Sequence, residues 1–275
     1  MARLTAPDIL KMKAQGEKIA MVTAYDMAMA RLLDRAGADM VLVGDSLGMV
    51  IQGEENTLRV TLDEMAYHGR AVNNGLQRAH LTIDMPFMTY QLSPTQALQS
   101  AGKLVQDGRA QSVKLEGGVR SAAAIRACVD AGIPVVGHVG LTPQSVHAMG
   151  GFKVQGRDET TAARIRADAM AVQEAGAFCI VFEMIPSSLA AELTAALSVP
   201  TIGIGAGAAC DGQVLVCNDL LGMDERFRPR FVKRFAELAG TIEAAGRAYV
   251  AEVKGGQFPA PEHTFDTTGK VYGGK

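Results

Sequence analysis

Short apolar runs recur along this chain, and between them apolar positions return every three or four residues. Val41, Leu42 and Val43 have the character of a strand buried on both faces, and so does the run Phe178–Phe182. Strands are predicted at 18–26, in the stretch 40–48 where Gly44 weakens the run, and at 80–85, 112–116, 134–139, 178–184, 200–204 and 213–216. The helical stretches fall between them. Thr5 to Gln15 opens the chain, with Thr5 as its cap, Pro7 in its first turn and Gly16 at its end. Asp26 caps a helix through Ala36, and Thr61 with Glu64 forms a capping box for a helix to about Asn74. Further helices are predicted at 94–107, 121–131, 159–175 and 187–197, and a long closing helix at Arg230–Val253. The segments 47–59 and 140–158 read as long loops, of a length that is often functional.

Eight strands alternating with helices imply a parallel sheet with right-handed crossovers. Eight such units in 275 residues favour a closed (β/α)8 TIM barrel over an open sheet. The expected organisation is one catalytic barrel over 1–254, with a short N-terminal helix and a long C-terminal one. A mobile tail rich in Gly, Pro and Thr is expected over 255–275.

Composition narrows the class. Hydrophobic residues make up 48%, enough for a large core, and the net charge of −2 leaves no footprint for nucleic acid. No run is long and apolar enough to span a membrane, and no signal-peptide core opens the chain. The four cysteines, Cys128, Cys179, Cys210 and Cys217, lack any metal-ligand spacing and are expected as buried thiols of a reduced, cytoplasmic protein.

The candidate chemistry sits where the apolar runs stop. Asp45, Asp84, Glu116 and Glu183 each end such a run, with Ser46 after the first, Lys114 two residues before Glu116, and His138 between two glycines. In a (β/α)8 barrel the carboxyl ends of the strands form the active site. Lys114 and Glu116 share one face of their strand, being two apart. Asp45, Asp84 and Glu116 are hard oxygen donors suited to Mg²⁺. Any one of them alone is better explained as a helix cap or a lysine partner, but three at successive strand ends favour the metal. Lys114 can hold a substrate's negative charge or simply pair with Glu116. His138 can contact substrate or be a satisfied core histidine. Glu183 leaves a very apolar strand, which suits a general base, but a cap or an arginine partner is the alternative. The GIGAG loop (203–207) could bind phosphate, although no P-loop spacing is present.

The segments TAYD (23–26), LVGDSLGMVIQG (42–53), DMPFM (84–88), VKLEGG (113–118), GHVGLTPQS (137–145), GGFKVQGR (150–157), FEMIP (182–186), and IGIGAG with DGQVLV (202–216) occur in order. Together they make the chain resemble the ketopantoate hydroxymethyltransferase family of the phosphoenolpyruvate mutase/isocitrate lyase superfamily. That resemblance implies transfer of a hydroxymethyl group from 5,10-methylenetetrahydrofolate to 3-methyl-2-oxobutanoate, at the first committed step of pantothenate synthesis. It implies Mg²⁺ at Asp45, Asp84 and Glu116, and ketoacid contacts from Asp45, Ser46, Asp84, Lys114 and His138. It gives Glu183 the role of proton acceptor and leaves a metal-stabilised enolate to attack the folate methylene. It also implies a homo-oligomer, a homodecamer in the family. No folate motif is visible in the residues themselves. Related lyases and mutases carry a KKCGH-type loop, which is absent here. A barrel that only binds a ligand would have lost the strand-end polar groups, and a phosphosugar barrel would bind inorganic phosphate tightly.

Overall fold

The computed structural model describes residues 2–224 and 229–265. Eight parallel strands form in chain order: β1 Ile19–Thr23, β2 Met40–Val43, β3 His80–Asp84, β4 Ser112–Glu116, β5 Val135–Gly140, β6 Cys179–Glu183, β7 Thr201–Ile204 and β8 Gly212–Leu215. Each pairs with the next, and β8 returns to β1, so the sheet closes into the expected (β/α)8 barrel. The strands are short because their apolar runs are short. β2 stops at Val43, immediately before Gly44. The helix Met27–Arg35 follows the Asp26 cap, whose carboxylate accepts Met29 N–H at 2.9 Å. Leu62–Gly75 is preceded by the Thr61–Glu64 capping box.

Register decides which side chains share the interior. His80 lies opposite Met40, Thr82 opposite Ser112, Asp84 opposite Lys114, and Glu116 opposite His138. Paired positions on neighbouring strands point to the same face. The interior is therefore two-sided. Met21, Met40, Val136, Val181, Ile202 and Val214 belong to an apolar cluster, whereas β3 and β4 present a polar column. The N-terminal helix Ala6–Gln15 joins the apolar side through Ala6 and the fully buried Ile9. Lys13 pairs with Asp211 at 2.8 Å, just before β8. This helix thus covers the amino-terminal ends of the strands, opposite the expected active site.

The foot of the polar column is satisfied internally. His80 Nδ1 is 3.2 Å from the Leu4 carbonyl, Nε2 is 2.9 Å from Ser112 Oγ, and Ser112 Oγ is 2.8 Å from Thr82 Oγ1. A neutral ring with its proton on Nδ1 donates to Leu4 and accepts from Ser112, so the chain of bonds is consistent.

Several elements differ from the sequence expectation, among them an unexpected short helix at Cys217–Leu220. The 47–59 loop opens with a short helix, Leu47–Val50, and the 140–158 segment contains a 3-10 turn, Pro143–Ser145, and a short helix, Val146–Met149. The closing helix begins at Leu238 rather than Arg230 and runs to Lys254. The reason is in the backbone: Phe235 N–H donates to the Leu220 carbonyl and Leu238 N–H to that of Leu221, which competes with helix in the preceding segment. Close packing divides the chain into two compact units. One, Met1–Cys217 with Arg230–Val232, holds the whole barrel; the other is Asn218–Pro229 with Lys233–Lys275. In the second unit no residue of helix Leu238–Lys254 is buried. The expected tail contains a 3-10 turn at Pro261–His263, and its last part, 266–275, lies outside the described residues. No described helix is long and apolar enough to cross a membrane, and Cys128, Cys179, Cys210 and Cys217 are all buried.

Burial lowers the His80 pKa to about 4, against about 6.5 in an unfolded chain. The fold then binds fewer protons than the unfolded chain between those values, so this residue's contribution to stability should fall as pH drops from about 6.5 towards 4, by up to ~1.4 kcal/mol per pH unit. Denaturant unfolding of wild type and His80→Asn across that range should show a flatter pH slope in the variant. Parallel slopes would contradict a buried neutral His80.

Candidate active site

The other end of the barrel is built by strand termini. Gly44 lets β2 end against β3: a Cβ there would lie 2.7 Å from Ser46 Oγ and 3.5 Å from Asp84 Oδ2. The Asp45 N–H then donates to Asp84 Oδ2 at 3.1 Å. Ser46 Oγ is 2.9 Å from the Tyr25 hydroxyl, and the Tyr25 carbonyl accepts from His68 Nδ1 at 2.7 Å. Asp84 and Lys114 face each other across β3 and β4, with Nζ 2.8 Å from Oδ1. Both side chains are buried there. Lys114 is therefore ion-paired, and its partner is Asp84 rather than the Glu116 considered from sequence.

One layer up, His138 stands between two carboxylates. Its Nδ1 is 3.6 Å from Glu116 Oε1 and its Nε2 3.1 Å from Glu183 Oε2. Glu183 is positioned by its own backbone: its carbonyl accepts Leu141 N–H at 2.8 Å. That approach requires glycine at 140, where φ is 99° and a Cβ would fall 2.3 Å from the Glu183 carbonyl oxygen. The next residue, Met184, is held at φ 46°, a strained value for a side chain of its size. Asp45, Asp84, Lys114, Glu116 and His138 are all buried, while the Glu183 side chain keeps 16% of its exposure. The site thus has a sealed wall and one more open carboxylate.

None of the four carboxylates caps a helix. The helix after β3 uses Ser93, whose Oγ accepts Gln96 N–H at 3.1 Å. The helices starting at Leu47 and Ser187 and the 3-10 turn at Val119 have no side-chain cap. Asp45, Asp84, Lys114, Glu116, His138 and Glu183 converge, with Ser46 beside Asp45, but Gln144 and Tyr90 were missed. Gln144 Nε2 donates to Asp45 Oδ2 at 2.9 Å, and its backbone N–H donates to Glu116 Oε2 at 3.0 Å. Tyr90 donates to Gln144 Oε1 at 2.7 Å and accepts Glu116 N–H at 3.1 Å. Gln144 lies within the GHVGLTPQS segment, but an uncharged amide in a loop gave no sign of pointing inward.

Electrostatics bear on whether a cation fits. Burial raises the Asp45 pKa, and the charges of Asp84 and Glu116 push it further. Burial also raises Asp84, against the opposing pull of Lys114. Burial alone would lower Lys114, but Asp84, Glu116 and Asp45 outweigh it and hold the ammonium charged. Burial and Lys114 push His138 down, while Glu116 and Glu183 prevail and raise it to about 9. Among the described residues no three acidic, histidine or cysteine groups already converge as a metal's ligand set. Mg²⁺ does not need three, since it takes one or two carboxylates and fills its octahedron with water and substrate. Mutually repelling buried carboxylates are a hard-oxygen environment that a divalent cation would relieve.

A closed parallel barrel with acid, base and ammonium groups gathered at its strand ends defines an α/β-barrel enzyme. Similarity narrows the class. The family model for ketopantoate hydroxymethyltransferase matches residues 3–261, and the chain belongs to that family. It is 58% identical over 263 residues to the 3-methyl-2-oxobutanoate hydroxymethyltransferase of Syntrophotalea carbinolica, covering 96% of this chain and 98% of that one. The Geobacter sulfurreducens protein of the same name is 53% identical over 261 residues, covering 95% and 98%. Among solved structures, a phosphonopyruvate hydrolase in complex with oxalate and Mg²⁺ superposes with a TM-score of 0.62 at 11% identity, over 96% of this chain and 93% of that one. A phosphoenolpyruvate phosphomutase from Streptomyces platensis subsp. rosaceus gives 0.62 at 14%, with the same coverage. These two share the barrel fold.

Breaking a buried ion pair from one side costs roughly 3–5 kcal/mol, because the remaining charge is left unpaired. Lys114→Met and Asp84→Asn should each lower the unfolding free energy, and the double variant should lose less than the sum. Denaturant titration of all four proteins measures the coupling, and simple additivity would show that the pair contributes nothing.

Proposed function

We propose that this chain transfers the one-carbon unit of 5,10-methylenetetrahydrofolate to 3-methyl-2-oxobutanoate, forming 2-dehydropantoate in the pantothenate pathway. The family supports the reaction, and the observation that carries the chemistry is the division of the site into a sealed charged wall and the more open Glu183. Enolisation needs that division: a base on one side of C3 and positive charge on the side of the keto oxygen.

The chain's own groups account for each requirement. Lys114 faces the negative charge that develops on the keto oxygen when C3 loses its proton. Asp45, Asp84 and Glu116 would hold Mg²⁺, which when bound supplies Lewis acidity towards the ketoacid oxygens. Ser46, held by Tyr25, offers a hydroxyl to the ketoacid. Glu183 takes the C3 proton, and the His138 imidazolium at 3.1 Å steadies the carboxylate. C3 then bonds to the folate methylene carbon as that carbon's bond to N10 opens, water replaces N5 on it to give the hydroxymethyl group, and the C3 proton and one water proton end on the two nitrogens of the departing tetrahydrofolate. Burial of the wall keeps bulk water from quenching the charge at the keto oxygen.

Glu183→Gln preserves volume but cannot accept a proton. With Mg²⁺ present and folate absent, deuterium exchange at C3 of the ketoacid, followed by NMR in D₂O, should slow by roughly 10²–10⁴-fold. Exchange at the wild-type rate would move the base elsewhere.

A further inference from the structure

Gln144 is the most heavily bonded side chain at the mouth of the barrel, and the reaction outlined above does not use it. It follows β5 in the turn Pro143–Ser145 and is buried. Its amide nitrogen donates to Asp45 Oδ2 and to the Met85 carbonyl, both at 2.9 Å. Its amide oxygen accepts from the Tyr90 hydroxyl at 2.7 Å and from Gln91 Nε2 at 3.1 Å. Its backbone N–H donates to Glu116 Oε2 at 3.0 Å. One residue therefore ties the loop after β5 to the ends of β2, β3 and β4.

The orientation of the amide is set by its neighbours. The Tyr90 hydroxyl accepts the Glu116 N–H, so its own proton goes to the Gln144 oxygen. The Met85 carbonyl can only accept, so the nitrogen must face it. With both hydrogens and both lone pairs engaged, the amide cannot flip without losing bonds on both sides. It thereby presents a fixed donor to one oxygen of Asp45, leaving the other free to face the site, and it steadies Glu116 from the backbone at the same time. Residues that orient a metal's ligands in this way typically contribute 10–100-fold to metal affinity or activity.

We infer that Gln144, locked by Tyr90, is a positioning residue that orients Asp45 and Glu116 for a divalent cation and its chelated ketoacid. The inference rests on the proposed metal role of these carboxylates, so its test must separate the two. Mn²⁺ serves as the probe, with free metal measured by electron paramagnetic resonance in the absence of substrate. Wild type should bind Mn²⁺ and Asp84→Ala should not; a wild type that binds none overturns the metal role and the inference with it. Given wild-type binding, Gln144→Met should raise the Mn²⁺ Kd by roughly 10–100-fold and raise KM for the ketoacid. Tyr90→Phe should shift the Kd in the same direction by less, and the double variant should bind no worse than Gln144→Met, because both act through one amide. A folded Gln144→Met with the wild-type Kd overturns the inference while leaving the metal role intact. If Gln144→Met does not fold, Tyr90→Phe decides: a raised Kd supports the inference and an unchanged one overturns it.

Discussion

The active end of this barrel depends on keeping one ammonium group and several carboxylates together out of water. Isolated buried charge is prohibitively costly, and pairing must be geometrically good to compensate. The parallel register provides that geometry without any loop. Asp84 meets Lys114 because β3 and β4 align them, and Glu116 meets His138 because β4 and β5 do the same. Moving either strand by one residue would turn these side chains to the helix-facing side. The charged wall is therefore a property of the barrel itself, which makes it rigid. The more open Glu183 stands beside it with its backbone fixed through Gly140.

The polar column also accounts for the division of the interior. Asp84, Thr82 and His80 rise along β3, and Glu116, Lys114 and Ser112 along β4, so one sector of the barrel is polar from mouth to foot. Apart from His138 and Glu183 near the ends of β5 and β6, the remaining strands fill the interior mainly with apolar side chains. Hydrogen bonds are directional and dispersion contacts are not. The polar sector thus fixes where the chemical groups stand, and the apolar sector supplies most of the cohesion. The neutral His80 at the foot marks where the column stops being chemical and becomes structural.

Much of this was legible in the sequence. Eight apolar runs alternating with helical stretches gave the barrel, and the residues that ended the runs gave Asp45, Asp84, Glu116 and Glu183. Parity placed Lys114 with Glu116, and the same alternation carried further back in steps of two would have found Ser112, Thr82 and His80. What composition and spacing could not supply was partnership. Lys114 pairs across strands with Asp84, a choice made by register and not by proximity in the chain. Gln144 and Tyr90 act through hydrogen bonds between residues 54 apart, and neither carries a charge or a motif. The late start of the C-terminal helix was hidden for a similar reason: the competing carbonyls at Leu220 and Leu221 lie outside the segment they affect.

The helix Ala6–Gln15 has a consequence for how the barrel assembles. β1 and β8 pair through Ile19 and Gly212, so the seam joins strands from opposite ends of the barrel sequence. Contacts of such separation form late, because the closure entropy of the intervening chain must be met first. The opening helix grips the far side of that seam through Lys13 and Asp211, while Lys18 reaches the Cys210 carbonyl at 2.7 Å. Ile9, beside them, enters the apolar interior that only a closed ring can offer. The helix Ala6–Gln15 thus waits for almost the whole barrel before it has anywhere to pack, and its docking turns an open curved sheet into a ring with no free edge.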